Sequence, residues 1–159
     1  MKNLNNLLEI LLENEIDFVL IGGFAGAVYG SSLVTRDIDI CALCTRENIT
    51  KLRRILKDFH PVHRHMPKEL SFLDNPSDLE GIKNLYIDCD MGVLDIVSAV
   101  SGVGDFERVK KNSIEIRLFG QPCKVISIDD LIESKKNMGR DKDRIAVREL
   151  ELIKKRSTK

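Results

Sequence analysis

Apolar and polar positions alternate along the chain in periods that change from element to element. Leu4, Leu7, Leu8, Leu11 and Leu12 recur at helical spacing, which predicts an amphipathic helix over residues 3–14 with Glu9 and Glu13 outward. Residues 18–21 are wholly apolar and stop at Gly22-Gly23, so they read as a short strand; residues 24–29 then form a short helix closed by Gly30. After a polar turn at 31–35, residues 37–43 alternate into a second strand. Residues 47–59 follow as a charged helix whose apolar face is Leu52, Ile55, Leu56 and Phe59. Residues 60–81 hold three of the four prolines and read as loop. Two hairpins are expected next: 85–89 with 93–100 around Asp90-Met91-Gly92, and 114–119 with 123–126 around Gly120-Gln121-Pro122. Ser127 and Asp130 have the spacing of a capping box ahead of a helix over 128–138, and Gly139 separates it from a helix over 141–156. The order of elements predicts a single α+β domain over residues 1–159, a mixed β-sheet flanked by helices.

Composition narrows the partners. The 25 basic and 25 acidic residues cancel, which removes the broad cationic field needed for non-specific nucleic-acid or membrane-surface binding. With no Trp and 5% aromatic residues, a base-stacking platform is equally unsupported. Four cysteines in a chain of 159 residues do not make a disulfide scaffold. Glu9 and Glu13 interrupt the leucines of any would-be signal peptide, so a cytoplasmic protein is expected.

Chemistry concentrates in the acids. Asp37 and Asp39, one residue apart in a strand, leave the same face while Ile38 and Ile40 leave the other. Two converging carboxylates repel, and a divalent cation is the usual means by which both stay ionised; magnesium suits such hard oxygen donors. Asp95 stands alone among apolar and small residues in Gly92-Val-Leu-Asp-Ile-Val-Ser, where a charge needs a partner. Meeting Asp37 and Asp39 from an adjacent strand, it would complete a site for one or two metal ions. Asp88 and Asp90 flank a turn, where aspartate is common for local reasons. Gly22-Gly23, between a strand and a helix, is a place for backbone N–H groups to meet a phosphate, although neither a P-loop nor a dinucleotide fingerprint is present.

The glycine pair, the Asp37-Ile38-Asp39 pair some fifteen residues later and the isolated Asp95 together resemble the nucleotidyltransferase superfamily with the DNA polymerase beta-like fold. More narrowly, Phe18-Val-Leu-Ile-Gly-Gly-Phe-Ala, Val34-Thr-Arg-Asp-Ile-Asp-Ile, Leu94-Asp-Ile-Val and Leu131-Ile-Glu-Ser-Lys-Lys-Asn-Met-Gly-Arg-Asp-Lys-Asp look like the branch of small bacterial nucleotidyltransferases that includes abortive-infection toxins. The likeness runs from about residue 17 to 151. It implies a nucleotidyltransferase core with C-terminal helices, in which Asp37, Asp39 and Asp95 bind Mg2+ and Gly22, Gly23, Thr35 and Arg36 hold the nucleoside triphosphate. Lys135 and Asp143 are then the lysine and late aspartate needed for activity. It further implies transfer of a nucleoside monophosphate from an NTP such as ATP to a hydroxyl of an RNA end, a protein or a small molecule, with an antitoxin protein as partner on the toxin reading. Leu33 stands where many relatives carry Arg, and Arg36 is the nearest replacement. The alternative from another class is a degenerate module that binds nucleotide or a partner without turnover.

Other signals carry less. His60, His63 and His65 lack a recognised zinc spacing and are read, with Arg64 and Lys68, as a polar or basic loop near the rim of the site. Cys41 and Cys44 are read as buried thiols, because residues three apart in a strand face opposite ways. Arg53, Arg54 and Lys57 are expected to form a solvated basic helix face.

Overall fold

A computed structural model describes residues 3–66, 70–75 and 82–157. Helix α1 (Leu4–Glu13) starts at Asn3, whose side chain accepts from Asn6 N–H at 3.1 Å, and buries Leu7, Leu8, Leu11 and Leu12. Strand β1 (Phe18–Ile21) passes directly into α2 (Gly22–Val28), so the glycine pair forms the first turn of that helix and not a loop before it. Strand β2 (Asp37–Ala42), helix α3 (Arg46–Leu56) with a 3-10 turn (Lys57–Phe59), and the short strand β3 (Val62–His63) follow. Strands β4 (Asn84–Cys89) and β5 (Gly92–Val97) form the first expected hairpin. That hairpin stops at Val97: Ala99–Val100 (β6) leaves the main sheet to pair with Gly104–Asp105 (β7).

Helix α4 (Phe106–Lys111) was not anticipated from the pattern. It is only two apolar positions wide, Phe106 and Val109, and is started by the Asp105 side chain, which accepts from Arg108 N–H at 2.9 Å. Strands β8 (Ile114–Leu118) and β9 (Gln121–Val125) form the second hairpin, and α5 (Ile128–Met138) and α6 (Asp141–Ser157) close the described chain. Ser127 caps α5 by accepting from Asp130 N–H at 3.1 Å. The Asp130 carboxylate does not complete a capping box; it takes both terminal nitrogens of Arg108, at 2.9 and 3.1 Å, and so ties α5 to α4.

Seven strands form one mixed sheet in the order β3-β4-β5-β2-β1-β9-β8. Two neighbouring pairs, β2 with β5 and β1 with β9, are parallel, and the others are antiparallel. Alternation divides each central strand: Ile38, Ile40, Leu94 and Ile96 are fully buried, while Asp37, Asp39 and Asp95 keep partial access on the other face. Gly139 adopts the left-handed conformation (φ 66°), donates to the Lys135 carbonyl at 3.1 Å and folds α6 back against α5. No helix among the described residues is long and apolar enough to cross a membrane.

The basic loop and helix face expected from the sequence are partly redistributed. Arg53 donates to the Phe72 carbonyl at 2.8 Å and lies over the Phe72 ring, so this side chain holds the segment after β3 in place. His63 is buried and bonds the Asn75 carbonyl, His60 pairs with Asp90, and His65 stands edge-on to Tyr86. Their different partners leave no shared metal position among the three histidines. Lys68 lies outside the described residues. All four cysteines are free and buried, and burial pushes the Cys41 and Cys44 thiols up to about 12 and about 11.

The buried face of β2 and β5 carries the load that keeps the acids in register. Leu94→Ala is expected to cost about 2–5 kcal/mol, as lost transfer energy plus an unfilled cavity. Urea unfolding checks this, and a loss under 1 kcal/mol would show that the face is loosely packed.

Candidate active site

Parallel pairing of β2 and β5 sets Asp39 directly opposite Asp95 and Asp37 opposite Val93. Since residues i and i+2 share a face, all three carboxylates emerge together. One oxygen from each can be chosen so that all three lie within 4.8 Å of one another, and this is the only group of potential metal ligands among the described residues. The donors are hard oxygens, which fit magnesium better than a soft metal.

Burial and crowding both act on these carboxyls. Burial, then the negative charges of Asp95 and Asp37, push Asp39 up to about 6, against the pull of Lys135. Burial also raises Asp95, opposed by Arg64, whose Nη2 donates to Asp95 Oδ1. The acids therefore sit together at a real electrostatic cost, which is the condition a bound divalent cation relieves.

The strand-to-helix turn is fitted to this cluster. Gly22 has φ +68°, and a Cβ there would overlap the Asp39 carboxylate; a Cβ on Gly23 would meet Thr35 Oγ1 at 2.9 Å. Both glycines thus permit backbone and acid loop to approach closely. Thr35 is held by donating from Oγ1 to the Asp37 carbonyl at 3.0 Å, and Arg36, next to Asp37, is exposed. Further back in the same loop, Glu149 of α6 accepts from Ser31 Oγ (2.5 Å), Ser32 Oγ (2.6 Å) and Ser32 N–H (3.2 Å). These bonds hold the Glu149 carboxyl below the usual range. Leu33 lies just beyond this anchor and is exposed.

The α5–α6 bend brings Lys135 and Asp143 together, with Nζ 3.8 Å from Oδ1. Asp143 is 1% exposed and also receives Arg140, through Nε at 2.6 Å, Nη2 at 3.2 Å and the backbone N–H at 3.1 Å. Burial alone would raise Asp143, but the bonds from Arg140 and the charges of Arg140 and Lys135 hold it below its ordinary value. Lys135 is pushed down by burial and supported by the charges of Asp143 and Asp39, which places its ammonium within the field of the acid cluster. Its neighbour Lys136 points outward to Glu133 and Glu151.

All nine residues singled out from the sequence therefore lie on adjoining elements, in three groups: the acids Asp37, Asp39 and Asp95; the turn and loop with Gly22, Gly23, Thr35 and Arg36; and the Lys135–Asp143 pair. Two contacts were not recognised in advance, although the sequence reads Arg64 as part of a basic loop near the rim of the site. Arg64 reaches Asp95 from the segment after β3, and Glu149 ties down the loop before β2. The isolation of Asp95 demanded a cation, but spacing did not say which one.

Asp39 supplies a signed test. Its folded value near 6 lies above the ordinary 3.8. Between these pH values the folded state holds a proton the unfolded chain lacks, so this group's contribution to stability falls as pH rises from about 4 to 6. In metal-free buffer, Asp39→Asn is expected to gain about 1–3 kcal/mol at pH 7.5 and little at pH 4. Denaturant titration at both pH values checks this; an equal effect at both would remove Asp39 from the repulsive cluster.

No protein-family profile and no curated protein sequence matches the chain. Solved structures do. The lincosamide antibiotic adenylyltransferase LnuA, bound to lincomycin, aligns at TM-score 0.62 and 17% identity, covering 94% of this chain and 95% of that one. ANT(2'')-Ia, an antibiotic-resistance factor, aligns at 0.58 and 13% over 94% and 86%. A candidate nucleotidyltransferase from Thermotoga maritima aligns at 0.55 and 16% over 94% of each chain. The chain thus has the α+β fold of the nucleotidyltransferases along nearly its whole length.

Proposed function

We propose that this protein is a nucleotidyltransferase that moves a nucleoside monophosphate from a nucleoside triphosphate to an acceptor hydroxyl. The observation that carries the reading is the convergence of Asp37, Asp39 and Asp95 beside the Gly22-Gly23 turn, in a fold shared with LnuA and ANT(2'')-Ia. An acidic cluster alone would be weak support; a glycine turn shaped to the cluster and a half-buried lysine facing it are independent features that a structural acid patch does not need.

Asp37, Asp39 and Asp95 would hold Mg2+, which when bound neutralises triphosphate charge and makes a hydroxyl more acidic. The protein's own groups do the positioning. Gly22 and Gly23 present backbone N–H groups at the start of α2 with no Cβ in the way, and Thr35 and Arg36 line the adjoining loop. Lys135, kept from solvent and oriented by Asp143, offers a cation to the charge that builds on pyrophosphate as the α-phosphorus bond to it breaks. Arg140 keeps Asp143 ionised, so the lysine's partner does not depend on pH near neutrality.

The acceptor is proposed to be a hydroxyl of a small molecule, since the solved relatives include one bound to lincomycin and one in complex with adenylyl-2''-tobramycin. RNA ends, protein hydroxyls and the antitoxin partner of a toxin reading are the competitors. Replacement of the usual loop arginine by exposed Leu33 is the feature that favours the binding-module alternative.

One experiment separates these. Wild-type protein, Lys135→Ala and Lys136→Ala are incubated with Mg2+, each α-labelled triphosphate, and RNA, protein and aminoglycoside or lincosamide acceptors. Label transfer by wild type, retained by Lys136→Ala and reduced on the order of 10²-fold in Lys135→Ala with folding intact, is the expected result. Equal transfer by all three removes Lys135 from the mechanism. Absence of transfer by wild type, with Mg2+-dependent nucleotide binding preserved, establishes the binding module.

A further inference from the structure

Arg64 is held in an unusual way. Its backbone N–H donates to the Tyr86 carbonyl at 2.8 Å, and Tyr86 is the residue paired with Asp95 across β4 and β5. The guanidinium carbon lies 5.9 Å from the centroid of the Tyr86 ring, and Nη2 bonds Asp95 Oδ1. Nε, by contrast, is buried and has no hydrogen-bond partner among the described residues. Folded proteins rarely leave such a donor unpaired, because it forfeits its hydration for nothing. An ion pair serving stability alone would be expected to satisfy the whole guanidinium. This one grips a carboxylate of the acid cluster at one end, and among the described residues nothing satisfies Nε.

The charge balance of the cluster gives that grip a purpose. Three acids meet in a half-buried space, with Lys135 acting on the Asp39 side and Arg64 in contact with Asp95. Resting on the nucleotidyltransferase reading above, we propose that Arg64 is a positioning residue that serves as the counter-ion of Asp95 until a divalent cation arrives with the nucleotide. A free cation approaching Asp95 meets the positive guanidinium at close range and is disfavoured. When the cation comes paired with a triphosphate, the added negative charge offsets that repulsion, so metal and nucleotide load together. A carboxylate has lone pairs for more than one partner, so Arg64 can yield one direction of Oδ1 and still rest on the Tyr86 ring.

The test is Mn2+ binding, followed by electron paramagnetic resonance of the free ion, without nucleotide and with a non-hydrolysable triphosphate. Arg64→Gln is expected to bind Mn2+ alone on the order of tenfold more tightly than wild type, and to lose most of the cooperation between Mn2+ and nucleotide. Unchanged or weaker binding of Mn2+ alone would overturn the counter-ion role, since a residue that merely braces the loop has no reason to oppose a cation. Failure of all proteins to bind Mn2+ even with nucleotide would instead overturn the metal site itself. Should Arg64→Gln not fold, the Arg64 Nε–H signal in wild-type nitrogen-15 spectra, assigned by its loss in Arg64→Lys, answers the same question. It should shift when Mg2+ and the nucleotide analogue are added, and an unmoved signal under saturating nucleotide would overturn the proposal.

Discussion

Parallel pairing of β2 with β5 is the constraint on which the site depends. Backbone hydrogen bonds fix Asp39 opposite Asp95, and the two-residue repeat of a strand then brings Asp37 to the same face. A slip of one residue would carry the acids of one strand to the buried face and set Ile38 and Ile40, or Leu94 and Ile96, toward solvent. Hydrophobic burial on one face thereby holds carboxylates together on the other, where burial and then the charges of Asp95 and Asp37 raise Asp39 to about 6.

The surrounding elements manage that repulsion. Lys135 is supplied by α5, which is also held to α4 through Asp130 and Arg108 and is folded against α6 by the left-handed Gly139. Asp143 and Arg140, at the start of α6, keep the lysine's carboxylate partner ionised. Arg64 reaches Asp95 from the opposite edge of the sheet, where β3 pairs with β4. Cations therefore enter from two segments that are far apart in the chain.

That turn is equally dependent on its neighbours. The absence of a Cβ at Gly22 lets Asp39 approach, the absence of one at Gly23 makes room for Thr35, and Glu149 anchors the loop through Ser31 and Ser32. Side chains from β2 and α6 thus shape a segment whose own residues are mostly small. Arg36, next to Asp37, is the exposed cation of this segment, and Glu149 ties the segment to α6.

The sequence by itself determined the elements whose periods are unambiguous. Strand β1, helix α5 and the β8–β9 hairpin lie where apolar spacing, Ser127 and the glycines place them, because these signals are local: alternation, a cap and a turn act within a few residues. It also determined that Asp37 and Asp39 share a face, which follows from strand geometry alone, and that Asp95 needed a partner. Only the tertiary structure decided which partner, since Arg64 and Asp95 are 31 residues apart and nothing in the loop composition distinguishes that arginine from its basic neighbours. It likewise decided that Asp130 turns to Arg108, that Arg53 serves Phe72, and that α4 forms at all. The Asp130 and Arg53 outcomes rest on long-range contacts, in which a side chain's local preference is overruled by the charge or ring that packing brings within its reach, while α4 adds the burial of Phe106 and Val109 to its local Asp105 cap.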